Sequence, residues 1–165
     1  MKKARSKDAL YAIDLALLFG TFLNHIPINA VMLDTETHAE HLKNNLILIG
    51  GPVVNKITDK VNDHLPIKFN KTKAWNIEST ISNEIYPGDE IGIIVKTKNP
   101  FAKDKSILLI AGKRHAGTKA AILALSKHLK EIAAGNLRNP KIAAKVVEGL
   151  DNDADGIIDD VEIKE

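Results

Sequence analysis

Leu46-Ile-Leu-Ile49, followed at once by Gly50-Gly51-Pro52, constrains the fold more than any other stretch of this chain. Four consecutive aliphatics with no polar alternation suit a strand buried on both faces, as in a parallel sheet. The glycine turn leads into a predicted helix over Val53–Leu65. Proline is favoured at the start of a helix, and Val54, Ile57 and Val61 fall on one face. Strand, glycine turn and helix form the first half of a β-α-β unit.

The same grammar recurs downstream. Ser106-Ile-Leu-Leu-Ile110 reads as a strand, a second glycine loop follows, and a long helix is predicted from Gly117 to Ala133. Gly92-Ile-Ile-Val95 is a further strand. Its connection to Ser106, Asn99-Pro-Phe-Ala-Lys-Asp-Lys105, is too short for a crossover helix, so the two should be antiparallel neighbours. Between Ile67 and Ile85 lie short alternating pieces such as Trp75-Asn-Ile-Glu78, expected as edge strands. Near the N-terminus, Asp8 can cap a helix running to Leu23, with Leu10, Ile13, Leu17 and Leu18 as its apolar face. Ile28–Leu33 reads as a short strand and Asp34–Leu42 as a brief helix. Asn139-Pro140 opens a last predicted helix, Lys141–Glu148. The sum is a three-layer α/β/α domain over residues 1–150 with a mixed, partly parallel sheet. Residues 151–165 would be an EF-hand-like loop appended to the last helix.

Lys plus Arg number 23 and Asp plus Glu 21, a formal net charge of +2. A balance so close to zero excludes a general polyanion-binding surface, and with it general nucleic-acid binding. The absence of cysteine excludes disulfides, thiol catalysis and Cys-based zinc sites. No stretch approaches the roughly 18–20 apolar residues that a membrane span needs. Met1-Lys-Lys-Ala-Arg-Ser-Lys7 has the basic character of a signal-peptide head, but Asp14 interrupts the apolar segment behind it, which favours an amphipathic helix. The expected compartment is the cytoplasm for a complete chain and the cell envelope for part of an exported one.

Asp151-Asn-Asp153-Ala-Asp155-Gly156-Ile157-Ile158-Asp159-Asp-Val-Glu162 satisfies D-x-[DN]-x-[DN]-G-x5-E at every defined position. Calcium takes six to eight hard oxygen ligands, and this spacing wraps them round one point. Asp151, Asp153 and Asp155 would supply carboxylates, Ile157 its carbonyl, Asp159 a direct or water-mediated contact, and Glu162 two closing oxygens. Gly156 makes the bend and Ile158 would pin the loop to the core. Six carboxylates in twelve residues repel one another without a cation. The competing reading is a solvated acidic tail.

The two glycine loops, Gly50-Gly51-Pro-Val-Val-Asn55 and Gly112-Lys113-Arg114-His115-Ala-Gly117-Thr118-Lys119, each precede a helix. If their strands run parallel, both open on the carboxyl edge of the sheet, where a small anionic ligand could meet backbone N–H groups and a positive helix end. The second loop spaces its glycines like a P-loop. It carries Thr118-Lys119 where that motif needs lysine and then the hydroxyl, and one position on a helix is a turn of about 100°. The plain alternative is tight turns with glycine chosen for close packing. His38 and His41 share a helical spacing but imply no third metal ligand. A hydrolase using His115 would rest on the cleft alone, since nothing positions a partner base or nucleophile.

Four segments taken together, Asn45–Asn55, Val95–Phe101, Ile107–Ala121 and Val147–Asp160, resemble the C-terminal region of archaeal S-layer-like proteins. The distinctive elements are G-G-P-x-x-N and A-G-x-x-x-x-G-T, and the resemblance runs from about Asn45 to the end. It implies a structural role in an envelope or surface array, with calcium supporting the fold, self-association or a protein partner, and no catalysis. The alternative function is a ligand-sensing module that binds a nucleotide or other anion at the glycine loops.

Overall fold

A computed structural model describes residues 6–21 and 31–165. Its centre is a five-stranded mixed sheet made of β1 (Leu46–Ile49), β5 (Ile91–Lys98), β6 (Ser106–Gly112), β7 (Ala144–Leu150) and β8 (Asp160–Ile163). The strand order is β1-β6-β5-β7-β8. β1 runs parallel to β6, Leu46 opposite Ile107 and Ile49 opposite Ile110. The other pairs, β5–β6, β5–β7 and β7–β8, are antiparallel. The short link between β5 and β6 thus makes the antiparallel pair its length dictates.

Alternation along these strands divides the core in two. Ile94, Ile110, Val147 and Val161 face α1 (Ser6–Gly20), α3 (His115–Lys127) and α4 (Leu129–Ala133). Ile93, Val95, Ile107, Leu109 and Val146 face the opposite way. That face is covered mainly by an antiparallel meander of β2 (Ile67–Asn70), β3 (Asn76–Ser79) and β4 (Ile85–Tyr86), with α2 (Lys56–Val61) beside it. That face is therefore covered largely by a second sheet, in place of the expected helices. Within β2 and β3 buried residues alternate with half-buried ones, the period-two pattern of strands that cover a core with one face.

Several local expectations change. β1 is an edge strand: only Leu48 is buried and Ile47 is 52% exposed, because β6 flanks it on one side alone. The first helix turns Leu15, Leu18 and Phe19 inward and leaves Ile13 and Leu17 in solvent. The side chain of Leu10, the expected helix end at Leu23 and the first part of Ile28–Leu33 lie outside what is described, and 31–33 belong to no strand. Only a 3-10 turn, His41–Lys43, forms within the brief helix expected over Asp34–Leu42. The helix expected from Val53 starts at Lys56, since Asn55 caps it, and Val54 is exposed. The long C-terminal helix breaks at His128, giving α3 and α4.

The largest correction concerns Lys141–Glu148. It is not a helix: Ala144–Leu150 forms β7, paired with both β5 and β8. The acidic segment consequently joins two strands of one hairpin, and residues 160–163 continue the sheet instead of trailing from a helix.

Candidate functional site

The acidic turn connects β7 to β8. Asp151, Asp153 and Asp159 each bring a carboxylate oxygen to within 4.8 Å of the others. The turn folds through its own side chains. Asp151 accepts hydrogen bonds from the backbone N–H of Asp155 (3.2 Å) and Gly156 (2.8 Å). Asp155 accepts from Ile157 N–H at 2.7 Å, and Asp159 from Asn152 N–H at 3.2 Å. Gly156 sits at φ +82°, where a side chain is strained, so the bend the motif assigns to it is present. Ile158 is buried against the face of Gly149 and ties the turn to the helical side of the core.

Two expected ligands stand apart from this group. Asp155 uses one carboxylate oxygen on Ile157 N–H. Glu162 lies on β8 directly opposite Glu148, and the Lys164 ammonium lies 3.2 Å from each of them. The donor set still fits a hard cation. Three carboxylates converge, the carbonyl of exposed Ile157 belongs to the same turn, and like charges held this close are costly unless a cation offsets them.

The paired glycine loops lie side by side at the carboxyl ends of β1 and β6, as the parallel pairing requires. A Cβ on Gly51 would come 3.1 Å from the Gly112 carbonyl oxygen. Most of their polar groups already have partners. Gly50 N–H donates to Ile110 O, Gly112 N–H to the Thr118 hydroxyl, and Lys113 N–H to Ile91 O. Lys113 and Arg114 both reach Asp89, at 3.3 and 3.6 Å, and Lys113 also donates to the Pro87 carbonyl. His115 begins α3, and Gly117 and Thr118 are buried within it. Asn55 accepts from Ile57 and Thr58 N–H and donates to Ile49 O, so it locks the end of β1 to the start of α2. Asn55→Ala removes both functions and should lower stability by about 1–2 kcal/mol. Urea denaturation checks this, and no change in midpoint would refute the capping role.

Sequence reasoning missed a buried polar centre. Glu165 is 1% exposed and its carboxylate is held by Ser79, Ser82, Tyr86 and Asn136. An isolated glutamate after β8 carries no periodic or motif signal. Lys145 is likewise buried on β7, and burial holds its pKa below the ordinary lysine range, with Glu131 pulling the other way.

Among the described residues, no helix is long and apolar enough to cross a membrane. A mixed sheet with helices on one face, a small antiparallel sheet on the other and an acidic turn at one end defines an α/β domain of mixed topology. The chain belongs to the S-layer like family: the outer domain of that family matches residues 6–129. The match includes α1, which the resemblance drawn from Asn45 onward left out. It ends before β7, so the acidic turn lies beyond it. An uncharacterized protein of Methanocaldococcus jannaschii is 36% identical over 123 residues, covering 70% of this chain and 25% of the relative. The chain thus spans about a quarter of that relative's length.

Proposed function

We propose that this is a non-enzymatic structural and interaction domain of S-layer-like type whose β7–β8 turn binds calcium as a structural ion. Family membership supports the structural role. The observation that carries the metal is the convergence of Asp151, Asp153 and Asp159 within 4.8 Å at a turn whose backbone bends at Gly156. Calcium would offset their repulsion and fix the hairpin that closes the edge of the main sheet. Only one short turn supplies ligands, so the ion would serve stability more than sensing.

Ligand at a hundred times its dissociation constant stabilises the folded state by about 2.7 kcal/mol. For a chain of this size that raises the melting temperature by roughly 5 °C or more. Chelator should reverse the shift, and Asp151→Asn with Asp153→Asn should abolish it. A melting curve unchanged across millimolar calcium would remove the metal.

A second reading places a nucleotide or other anion at the two glycine loops. It draws on their adjacency at the carboxyl ends of parallel β1 and β6 and on the start of α3 beside them. A thermal-shift screen with nucleotides and sugar phosphates tests it. No stabilisation by any of them leaves close packing as the reason for the glycines.

A further inference from the structure

The charges of this chain are nearly balanced in number but not in place. Two adjoining shallow grooves lie at the end of the main sheet where β5 finishes and β6 begins, and they share Lys96 and Ser106. The larger, of about 450 Å³, is lined also by Lys98 and Lys141. Neither groove has a carboxylate in its lining. Lys96, Lys98 and Lys141 are exposed and make no ion pair among the described residues. Beside them Ile47, on the edge strand β1, is 52% exposed.

β7 fixes where the opposite charge lies. It begins at Ala144, next to the Lys141–Ala143 wall of the groove, and ends at Leu150, next to Asp151. Seven strand residues rise about 24 Å at roughly 3.4 Å each. The domain therefore carries a lysine groove at one end of this strand and a protruding acidic turn at the other. Asp151, Asp153 and Asp155 in that turn are exposed and without ion pairs among the described residues. Within one molecule the two poles are too far apart to meet. Between molecules they are complementary, and a net charge of +2 opposes approach only weakly.

We propose that the acidic turn of one copy docks in the Lys96–Lys98–Lys141 groove of a second copy. The contact is head-to-tail and joins two different surfaces, so it leaves a free groove and a free turn at the ends and propagates into open chains. The inference rests on the interaction role proposed above and is independent of calcium. A bound ion would reduce the charge of the turn without reversing it, so calcium should weaken the contact modestly.

The test is sedimentation velocity of the full chain, with chelator, at low and high salt. The native chain should form concentration-dependent chains at about 20 mM salt and fall to monomer near 0.5 M, where screening is short-ranged. Lys96→Glu with Lys98→Glu and Lys141→Glu should be monomeric at both. So should Asp151→Lys with Asp153→Lys and Asp155→Lys. An equimolar mixture of these two charge-reversed chains should associate again, because each groove then faces a turn of opposite sign. Circular dichroism on each variant establishes that it is folded. A native chain that stays monomeric at low salt, reversed chains that associate as the native one does, or folded reversed chains that fail to associate when mixed would each overturn the proposal. Calcium stabilisation, read by melting of the monomeric lysine-reversed chain, reports separately on the metal.

Discussion

A Gly117→Ala chain should lose about 3 kcal/mol of stability, a large fraction of the roughly 5–15 kcal/mol that holds a domain of this kind. The reason is backbone against backbone. A Cβ on Gly117 would lie 2.0 Å from the Ile91 carbonyl oxygen and 2.6 Å from its carbon. Gly92 and Gly112 complete the contact: a Cβ on the first would meet Gly117 O at 2.1 Å, and on the second Thr118 N at 2.1 Å. The start of α3 therefore rests directly on β5 and β6, with the Gly112 N–H to Thr118 hydroxyl bond of 3.0 Å across the junction. None of the obstructing atoms is the far end of a flexible side chain, so relief requires moving a helix off the central strand. Gly20→Ala is the control, since nothing lies within 4 Å of its Cβ position. Urea unfolding should show a near-native midpoint for Gly20→Ala and a large drop for Gly117→Ala. A loss below about 1 kcal/mol for Gly117→Ala would mean that the junction is loose and that the glycines serve something other than approach.

That result bears on what the sequence could reveal. The glycine loops stood out because punctuation between aliphatic runs is a local signal, whereas the parallel pairing of β1 and β6, only a condition in the sequence, is fixed by the sheet. Their purpose is not local. Gly92 looks like an ordinary strand glycine until β5 is placed beneath α3. Lys141–Glu148 failed for the opposite reason. Lys141, Lys145 and Glu148 recur at helical spacing among helix-forming alanines, and nothing nearby says that Lys145 is enclosed. Pairing on both sides, to β5 and to β8, overrides that propensity. The acidic motif was legible because its spacing is self-contained. Its flanks were not, and two strands in place of a helix carry Glu162 to Lys164 and Glu148 instead of to the turn.

Removing the Glu165 side chain should be as damaging as crowding Gly117, by a different mechanism. Lys164 N–H and Glu165 N–H both donate to the Val146 carbonyl, at 2.9 and 3.3 Å, which is a β-bulge after β8. The bulge aims Glu165 at the small sheet, where it accepts from Ser79 (2.8 Å), Ser82 (2.7 Å), Tyr86 (2.9 Å) and Asn136 (3.0 Å). One carboxylate thus joins β3, β4 and the loop before β7 to the edge of the main sheet. Its charge is stabilised by four neutral donors. Burial pushes its pKa up, the hydrogen bonds pull it down, and the hydrogen bonds prevail, so it falls below the ordinary 4.5. Tyr86, buried beside Glu84 and Glu165, is held protonated well above the usual tyrosine range. Glu165→Ala leaves the buried Ser79 hydroxyl and one amide hydrogen of buried Asn136 without their acceptor, while the Tyr86 hydroxyl keeps Glu84 at 2.9 Å, and should cost about 3 kcal/mol at neutral pH. The pH dependence follows from the depressed value. The unfolded chain binds the proton more readily, so the contribution is complete above the ordinary carboxylate range. It is lost as pH falls below 4.5 through the folded value. Glu165→Gln, which cannot ionise, should remove that share of the acid dependence while costing less than alanine. Chemical denaturation from pH 7 to pH 3 reads both effects. An alanine variant within about 1 kcal/mol of the native chain, or a glutamine variant with the same acid slope, would show that the small sheet is held by its apolar face alone.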